Sequence, residues 1–366
     1  MNNLISGCNA LSDIAYYDVR NDLEKYPLAW CILGWSPRGP GKTYSCLRYM
    51  IEEKAIFLFI KRTKRDVELI CQSGNEDISA EFSPFKPLNR DFGWNIGPAM
   101  IDKKASVGAF YERDPNDKPY GKPLGYIFAL SGASDIKGFD LSEVDYIIFD
   151  EFIPKKHERI SRGEGEALLE IYMTVQRDRR LRGRPDVKLL CMANAVSVNN
   201  PTFAMLDVTD VAVQMDITNT EYIYQEDRGI LLHFIPPIDL PEDMEKSGIE
   251  KAMTGTAWGD MAFGGHFAFD DFTSVQHKRL KGYRPLCSYT YKKKEVYVYE
   301  KDGYYYACRA KANVTIHYNL ARENEQKKFW YDYVRYFRDE VINDHFTFSE
   351  FTMYDLIINY KKIFDI

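Results

Sequence analysis

The spacing of apolar positions changes character along the chain. Between residues 28 and 215, short and nearly unbroken apolar runs alternate with amphipathic stretches. LAWCILGW (28–35), AIFLFIKR (55–62), LGYIFALS (124–131), VDYIIFDEF (144–152) and VKLLCMANA (187–195) have strand length, and unbroken apolarity suits strands covered on both faces. Such strands separated by helical stretches predict an α/β domain on a mostly parallel sheet with crossover helices. Residues 73–123, between the second and third runs, are rich in Gly, Pro and Asn and show no clear period, which predicts a hairpin-bearing insertion.

Beyond residue 215 the pattern differs. FIPPIDLPEDMEKSG sets three prolines among acidic residues, and proline continues neither a helix nor a central strand. Residues 1–215 are therefore read as one domain, 216–249 as a linker region and 250–366 as a second domain. In the second, RPLCSYTYKKKEVYVYEKDGYYYACRAK alternates over strand-length runs with KDG as a tight turn, which predicts an antiparallel meander over 284–311. Trp330, Val334, Phe337 and Val341 then recur at helical spacing, and FTMYDLIINYKKIF supplies a further helix. This part is expected to be small and α+β.

Composition narrows the class. At 366 residues, 45% hydrophobic and 28% charged, the chain can bury two cores. A formal net charge of −6 argues against coating nucleic acid by bulk charge, since nonspecific affinity comes from neutralising phosphates. Any such contact must be local, and residues 251–366 hold 18 Lys or Arg against 15 Asp or Glu. Seven cysteines, with no CxxC pair, fit a reduced cytosolic protein, and the six histidines lack the HExxH spacing of a zinc site. There is no apolar run of about 18 residues, and MNNLISGCNALSD lacks the basic and apolar parts of a signal peptide. Neither a membrane span nor export by that route is expected.

Two motifs carry chemistry. In WCILGWSPRGPGKTYSCLRYM, a strand runs into a glycine-rich turn and then a helix, the context that gives a P-loop its meaning. Ser36, Pro37, Arg38, Gly39, Pro40, Gly41, Lys42 and Thr43 form the candidate nucleotide loop: backbone N–H groups and Lys42 would meet the β- and γ-phosphates, and the Thr43 hydroxyl would bind Mg²⁺. Ser36 replaces the usual first glycine, at a conformational cost if positive φ is needed there. Pro37 and Pro40 each remove an N–H donor. In YIIFDEF, Asp150 and Glu151 end an apolar strand in the manner of a Walker B motif, with Asp150 expected to hold the metal and Glu151 to act as general base on the attacking water. ATP and Mg²⁺ are the cofactors this pairing calls for.

A third element is the helix in GEGEALLEIYMTVQRDRRLRG. Leu168, Ile171, Tyr172 and Val175 share one apolar stripe, and at 100° per residue Arg177 falls about 180° from Leu168. The residues alone leave two readings open. Arg177 is an arginine finger acting on a neighbouring subunit's γ-phosphate, or Arg177, Arg179 and Arg180 make a solvated basic face at a helix end.

Taken together, YIIFDEFIP, CMANAVSVNNPTF, TVQRDR and GTAWGDM resemble the DNA-packaging (encapsidation) ATPases of small podophages, distant relatives of terminase large subunits. The resemblance covers residues 28–310. It implies a P-loop ATPase domain with a mostly parallel sheet followed by a smaller α+β domain resembling a degenerate RNase H-like nuclease. It implies a homomeric ring, pentameric in expectation, which docks at the portal vertex of a prohead in the infected host's cytoplasm and drives double-stranded DNA inward. A structural RNA is a further partner in phages that use one, and Lys292, Lys293 and Lys294 either grip nucleic acid or form a soluble hairpin edge.

On this resemblance Arg177 matches the arginine finger, Asn194 matches a γ-phosphate-sensing position, and Lys137 in SDIKGFD matches a lysine that approaches the neighbouring site. The run KRTKR matches a pore-facing segment, with Lys61 and Lys64 as DNA-binding candidates; solvated charge at a strand exit is the bland alternative. An RNase H-type nuclease needs a carboxylate on its first strand to bind metal, and RPLCSYTY has none, so cutting is not expected. Two rivals stand beside this reading: another P-loop helicase or translocase, and a non-hydrolysing assembly protein stabilised by nucleotide.

Overall fold

A computed structural model describes residues 16–71, 82–134, 138–158, 160–161, 163–238 and 246–366. The chain divides into two compact units, Met1–Val208 with Thr218–Phe269, and Thr209–Ile217 with Asp270–Ile366.

The first unit is a mixed α/β fold around one large sheet. Its strands are β1 (Cys31–Ser36), β2 (Phe57–Lys61), β3 (Ile96–Asp102), β4 (Val107–Arg113), β5 (Pro119–Ala129), β6 (Tyr146–Asp150), β7 (Lys188–Asn194), β8 (Tyr222–Gln225) and β9 (Ile230–Phe234), in the order β3-β4-β5-β2-β6-β7-β1-β9-β8. The run from β5 to β9 is parallel throughout, and antiparallel strands close both edges. All five strands expected from the apolar runs are present. Cys31–Ser36 is buried at every position, as two-sided covering requires.

Five helices frame the site: α1 (Val19–Lys25), α2 (Lys42–Glu52), α3 (Lys64–Cys71), α4 (Lys86–Phe92) and α5 (Glu164–Gln176). Helix α2 turns Cys46, Leu47 and Met50 inward onto a core that includes Ile32, Leu190 and Leu231 from the sheet. The insertion between β2 and β5 contributes α4 and the β3–β4 pair, which continues into β5 as an antiparallel edge.

The structure differs from the sequence reading after residue 215. The expected linker region 216–249 contains β8 and β9, and β9 lies parallel to β1 with Cys31 opposite Ile230. The apolar run ILLHF is a buried strand, and the prolines begin only after it ends. Residues 248–269 also belong to the first unit, and Thr209–Ile217 to the second. Asp210 shows why: its carboxylate accepts the Thr352 N–H at 2.9 Å and the Thr352 hydroxyl at 2.7 Å.

The second unit carries a smaller sheet of β10 (Arg284–Tyr291), β11 (Lys294–Lys301), β12 (Tyr304–Cys308), β13 (His317–Asn319) and β14 (Phe346–Phe348), ordered β13-β10-β11-β12-β14. β10, β11 and β12 form the expected antiparallel meander, with β13 and β14 added in parallel at the edges. Trp330, Val334, Phe337 and Val341 lie in its core with Phe346 and Phe348.

Candidate functional site

The C-terminal ends of three neighbouring strands make the site. β7 lies between β1 and β6, and its last residue, Asn194, stands directly opposite Ser36. One strand further, Asp150 ends β6 opposite Met192. Strand order therefore brings Ser36 together with Asp150 and Asn194, each more than a hundred positions away in sequence, at the C-terminal ends of central strands.

Ser36 is a buried, extended strand residue. The left-handed conformations of the following turn fall instead on Gly39 (φ 101°) and Gly41 (φ 85°), where the absence of a Cβ removes the penalty. The replacement of glycine by Ser36 thus carries no φ cost, and the hydroxyl gains a role. It donates to the Pro37 carbonyl at 2.5 Å and accepts from the Lys42 ammonium. Pro37 and Pro40 are buried while Arg38 and Gly39 are exposed.

Gly41 precedes α2, so the helix opens with N–H groups that have no partner within the helix. A helix N-terminus of this kind, with Lys42 beside it, suits an anion. Lys42 also donates to Asn194 Oδ1 at 3.2 Å and Pro37 O at 3.3 Å. Burial lowers its pKa to about 8, against the opposing attraction of Asp150.

Thr43 donates to Asp150 Oδ1 at 2.6 Å. Hydroxyl and carboxylate oxygens at that separation are the hard donors a magnesium ion takes, with phosphate and water completing its shell. Among the described residues no group of three or more His, Cys, Asp and Glu is placed to hold a metal by itself. A site of one carboxylate and one hydroxyl that shares its ion with a phosphate ligand does not require such a group.

Glu151 follows in a left-handed conformation, φ 58°, unusual for a residue with a side chain. Its carboxylate is 44% exposed and so open to water, with Lys155 Nζ at 3.3 Å and Lys61 Nζ at 3.8 Å. The turn is held from β2. Arg62, 11% exposed, donates to the carbonyls of Glu151 at 3.1 Å and Phe152 at 2.9 Å, and pairs with Glu158 and Glu164. Burial raises the Glu164 pKa, with Arg62 opposing it.

Lys61, expected at DNA, points inward. Its ammonium lies 2.9 Å from Asp150 Oδ2 and the side chain is 17% exposed. Burial works to lower its pKa, but attraction and hydrogen bonding to Asp150, with Glu151 adding, raise it on balance. The end of β2 abuts the end of β6, with Ile60 opposite Phe149, so the next side chain meets the carboxylates. Lys64 opens α3 and is half-buried.

Arg177 caps the C-terminal end of α5 and is 80% exposed, with Asp178 at 3.8 Å. The structure does not bring it to the Lys42–Asp150 cluster of its own chain. Arg179 is the opposite case: 1% exposed, it donates to Asp145 Oδ1 at 2.7 Å and to the carbonyls of Val144 and Pro185. The basic run is not one solvated face. Lys137 lies outside the described residues.

Sequence reasoning missed the inward roles of Lys61 and Arg62, because their partners Asp150, Glu158 and Glu164 come from distant segments. It also assigned the stretch holding GTAWGDM to the other domain. In the structure the Arg38 N–H donates to the Ala262 carbonyl at 2.8 Å, just beyond that motif.

The sequence profile of the podovirus DNA encapsidation proteins (Gp16) matches residues 118–347. The chain is 28% identical over 265 residues to the DNA packaging protein of Bacillus phage B103, covering 70% of this chain and 69% of that protein. It is 24% identical over 259 residues to the DNA packaging protein of Bacillus phage phi29, covering 69% and 67%. In fold it is similar to a chain of the bacteriophage Phi-29 viral genome packaging motor assembly, with a TM-score of 0.62 at 22% identity over 95% of this chain and 98% of that one. A chain of the Phi-28 gp11 DNA packaging motor gives 0.56 at 16% identity over 96% and 98%. With a profile match over more than half its length, the chain belongs to the podovirus DNA encapsidation protein family.

Proposed function

We propose that this protein is the ATPase of a DNA-packaging motor, translocating double-stranded DNA into a prohead through the portal. The observation that carries the reading is the 2.6 Å contact between Thr43 and Asp150, with Lys42 and Glu151 beside it, at the C-terminal ends of the central parallel strands. This is the arrangement of a P-loop facing a Walker B carboxylate.

Each residue then has a task. Gly39, Gly41 and the first turn of α2 offer N–H groups to the phosphates, and Lys42 adds charge. Thr43 and Asp150 would hold Mg²⁺, which when bound offsets charge on the phosphate oxygens. Glu151, open to water, takes a proton from the nucleophile as general base. Asn194, already in contact with Lys42, senses what the lysine binds. Arg177, 80% exposed and in contact with Asp178, serves the neighbour in a ring, and Lys137 is assigned to the same junction. Because the solved relatives are named as parts of packaging motors, we place this chain in a ring, pentameric in our reading, at the portal vertex in the host cytoplasm. Among the described residues no helix is long and apolar enough to cross a membrane.

The second unit is read as a vestigial RNase H-like nuclease domain. β10, antiparallel to β11 and parallel to β13, has no carboxylate in its eight residues, so metal-dependent cutting is not expected.

Replacing Glu151 by Gln tests the core of this. ATP turnover should fall by a factor of about 10² to 10⁴ while ATPγS binding persists. Unchanged turnover would remove Glu151 from catalysis, and no turnover in the unmodified protein with proheads and DNA would favour a non-hydrolysing assembly protein. Protection of DNA from nuclease by proheads, protein and ATP separates packaging from duplex unwinding.

A further inference from the structure

The phosphate-binding loop is held from behind by a segment that runs out of the GTAWGDM stretch and to which the site above gives no task. Pro37 and Pro40 have no N–H, and the Arg38 N–H is committed to the Ala262 carbonyl at 2.8 Å. The first part of the loop therefore presents no donor inward. Beside it Gly265, with φ 75°, lies so close that a Cβ there would stand 2.5 Å from Pro37 Cδ and 2.7 Å from Pro37 N. Phe267, 1% exposed, places its ring 5.7 Å from that of Trp35, the residue before Ser36. The turn that delivers Ala262, Asp260–Gly264, is π-helical, a wider winding found in short pieces and often at functional sites. On the other side, the Tyr17 N–H holds the Pro40 carbonyl at 3.0 Å.

We propose that residues 257–267 are a latch on the nucleotide loop, with Gly265 as its positioning residue. The latch fixes Pro37 and Arg38 so that Gly39 can turn the chain into α2 with its N–H groups facing the phosphates. If the latched loop is the one that binds nucleotide, linkage requires the converse: nucleotide must stabilise the latch by the same free energy. Two residues beyond Phe267 the first unit ends at Phe269 and the chain enters the second, so the latch is the last piece of main chain before that boundary. This inference rests on the nucleotide reading above.

The experiment compares ATPγS affinity, by calorimetry on the full chain, for the unmodified protein, Gly265→Ala and Gly255→Ala. Gly255 supplies the control: its φ is 78°, but among the described residues nothing lies within 4 Å of a Cβ built there. Both variants carry the same left-handed backbone penalty, and only Gly265→Ala pushes on Pro37. Gly265→Ala should bind ATPγS about tenfold more weakly than Gly255→Ala, within the usual range of coupling between sites. Amide exchange over 257–267 in the unmodified protein should slow when ATPγS is added. Equal affinities of the two variants, or exchange that ATPγS leaves unchanged, overturn the latch while the nucleotide site stands. If Gly265→Ala fails to fold, exchange in the unmodified protein decides alone. Unmodified protein that binds no ATPγS overturns the nucleotide reading and the latch together.

Discussion

Two short basic runs, KRTKR at the end of β2 and RDRR after α5, look alike as letters and behave differently from residue to residue. In the first, Lys61 and Arg62 are drawn onto carboxylates and carbonyls around Asp150 and Glu151, and Lys64 begins a helix. In the second, Arg177 stays at the surface while Arg179, two positions on, is buried on Asp145. A basic run is thus not a functional unit. Which member faces water depends on where the strand or helix ends and on which acids arrive from elsewhere.

The contrast is sharpest between Arg177 and Arg179. Arg177→Ala should leave stability within about 0.5 kcal/mol, as for an exposed side chain with few contacts. Its ATP turnover should fall by about 10³ or more if it serves a neighbour's γ-phosphate. Mixing Arg177→Ala subunits with Lys42→Ala subunits should restore part of that turnover, since each intact site can then meet an intact finger. No rescue in proven mixed assemblies would put the arginine outside the site. Arg179→Ala reverses the pattern. It strands the Val144 carbonyl and removes a partner of Asp145, which Arg184 still contacts at 2.9 Å. A loss of about 3 kcal/mol is expected by denaturant unfolding. Equal stability losses in the two variants would erase the distinction.

How much of this was legible follows from how local each cause is. Unbroken apolar runs mark β1, β2, β5, β6 and β7, because burial on both faces leaves its record within each strand. ILLHF was lost to the prolines behind it, although they only end the strand. Rotation at 100° per residue placed the cap residue Arg177 outward but has no meaning for Arg179, since the chain leaves the helix at Arg177, whose ψ is 132°. Ser36 looked like a defect because the motif asks for glycine there. The conformational demand sits at Gly39 and Gly41, which are both present. Lys61 and Arg62 could not be oriented from their own segment, because Asp150, Glu158 and Glu164 hold them from far along the chain.

Charge on Lys42 gives a test of intermediate size. Its folded pKa of about 8 lies below the ordinary 10.5, so the folded protein binds fewer protons than the unfolded one between those values. Burying this ammonium therefore opposes folding most at low pH, and the penalty is relieved as pH rises through that window. Nucleotide reverses the preference, because phosphates favour the charged form. ATPγS affinity should fall as pH rises above about 8, by up to tenfold per unit, with proton uptake on binding. Lys42→Arg, always charged, should flatten that profile even if its affinity is lower. A flat profile in the unmodified protein would mean that Lys42 does not meet the phosphates.

The smallest effect concerns the two lysines first assigned to DNA. Each phosphate contact by a cation releases counterions, so losing one lowers the salt slope of DNA binding by about 1 and weakens binding evenly across sequences. Lys64→Ala should do this. Lys61→Met should not, because its ammonium is spent on Asp150 at 2.9 Å rather than offered to solvent. Measuring both slopes with nucleotide bound and without it makes the comparison stricter. If Lys61→Met changes the slope only when nucleotide is present, the ammonium leaves Asp150 as the site fills and the inward geometry belongs to one state of the cycle. If both substitutions change it equally in either condition, the whole run faces DNA and the division between its members fails.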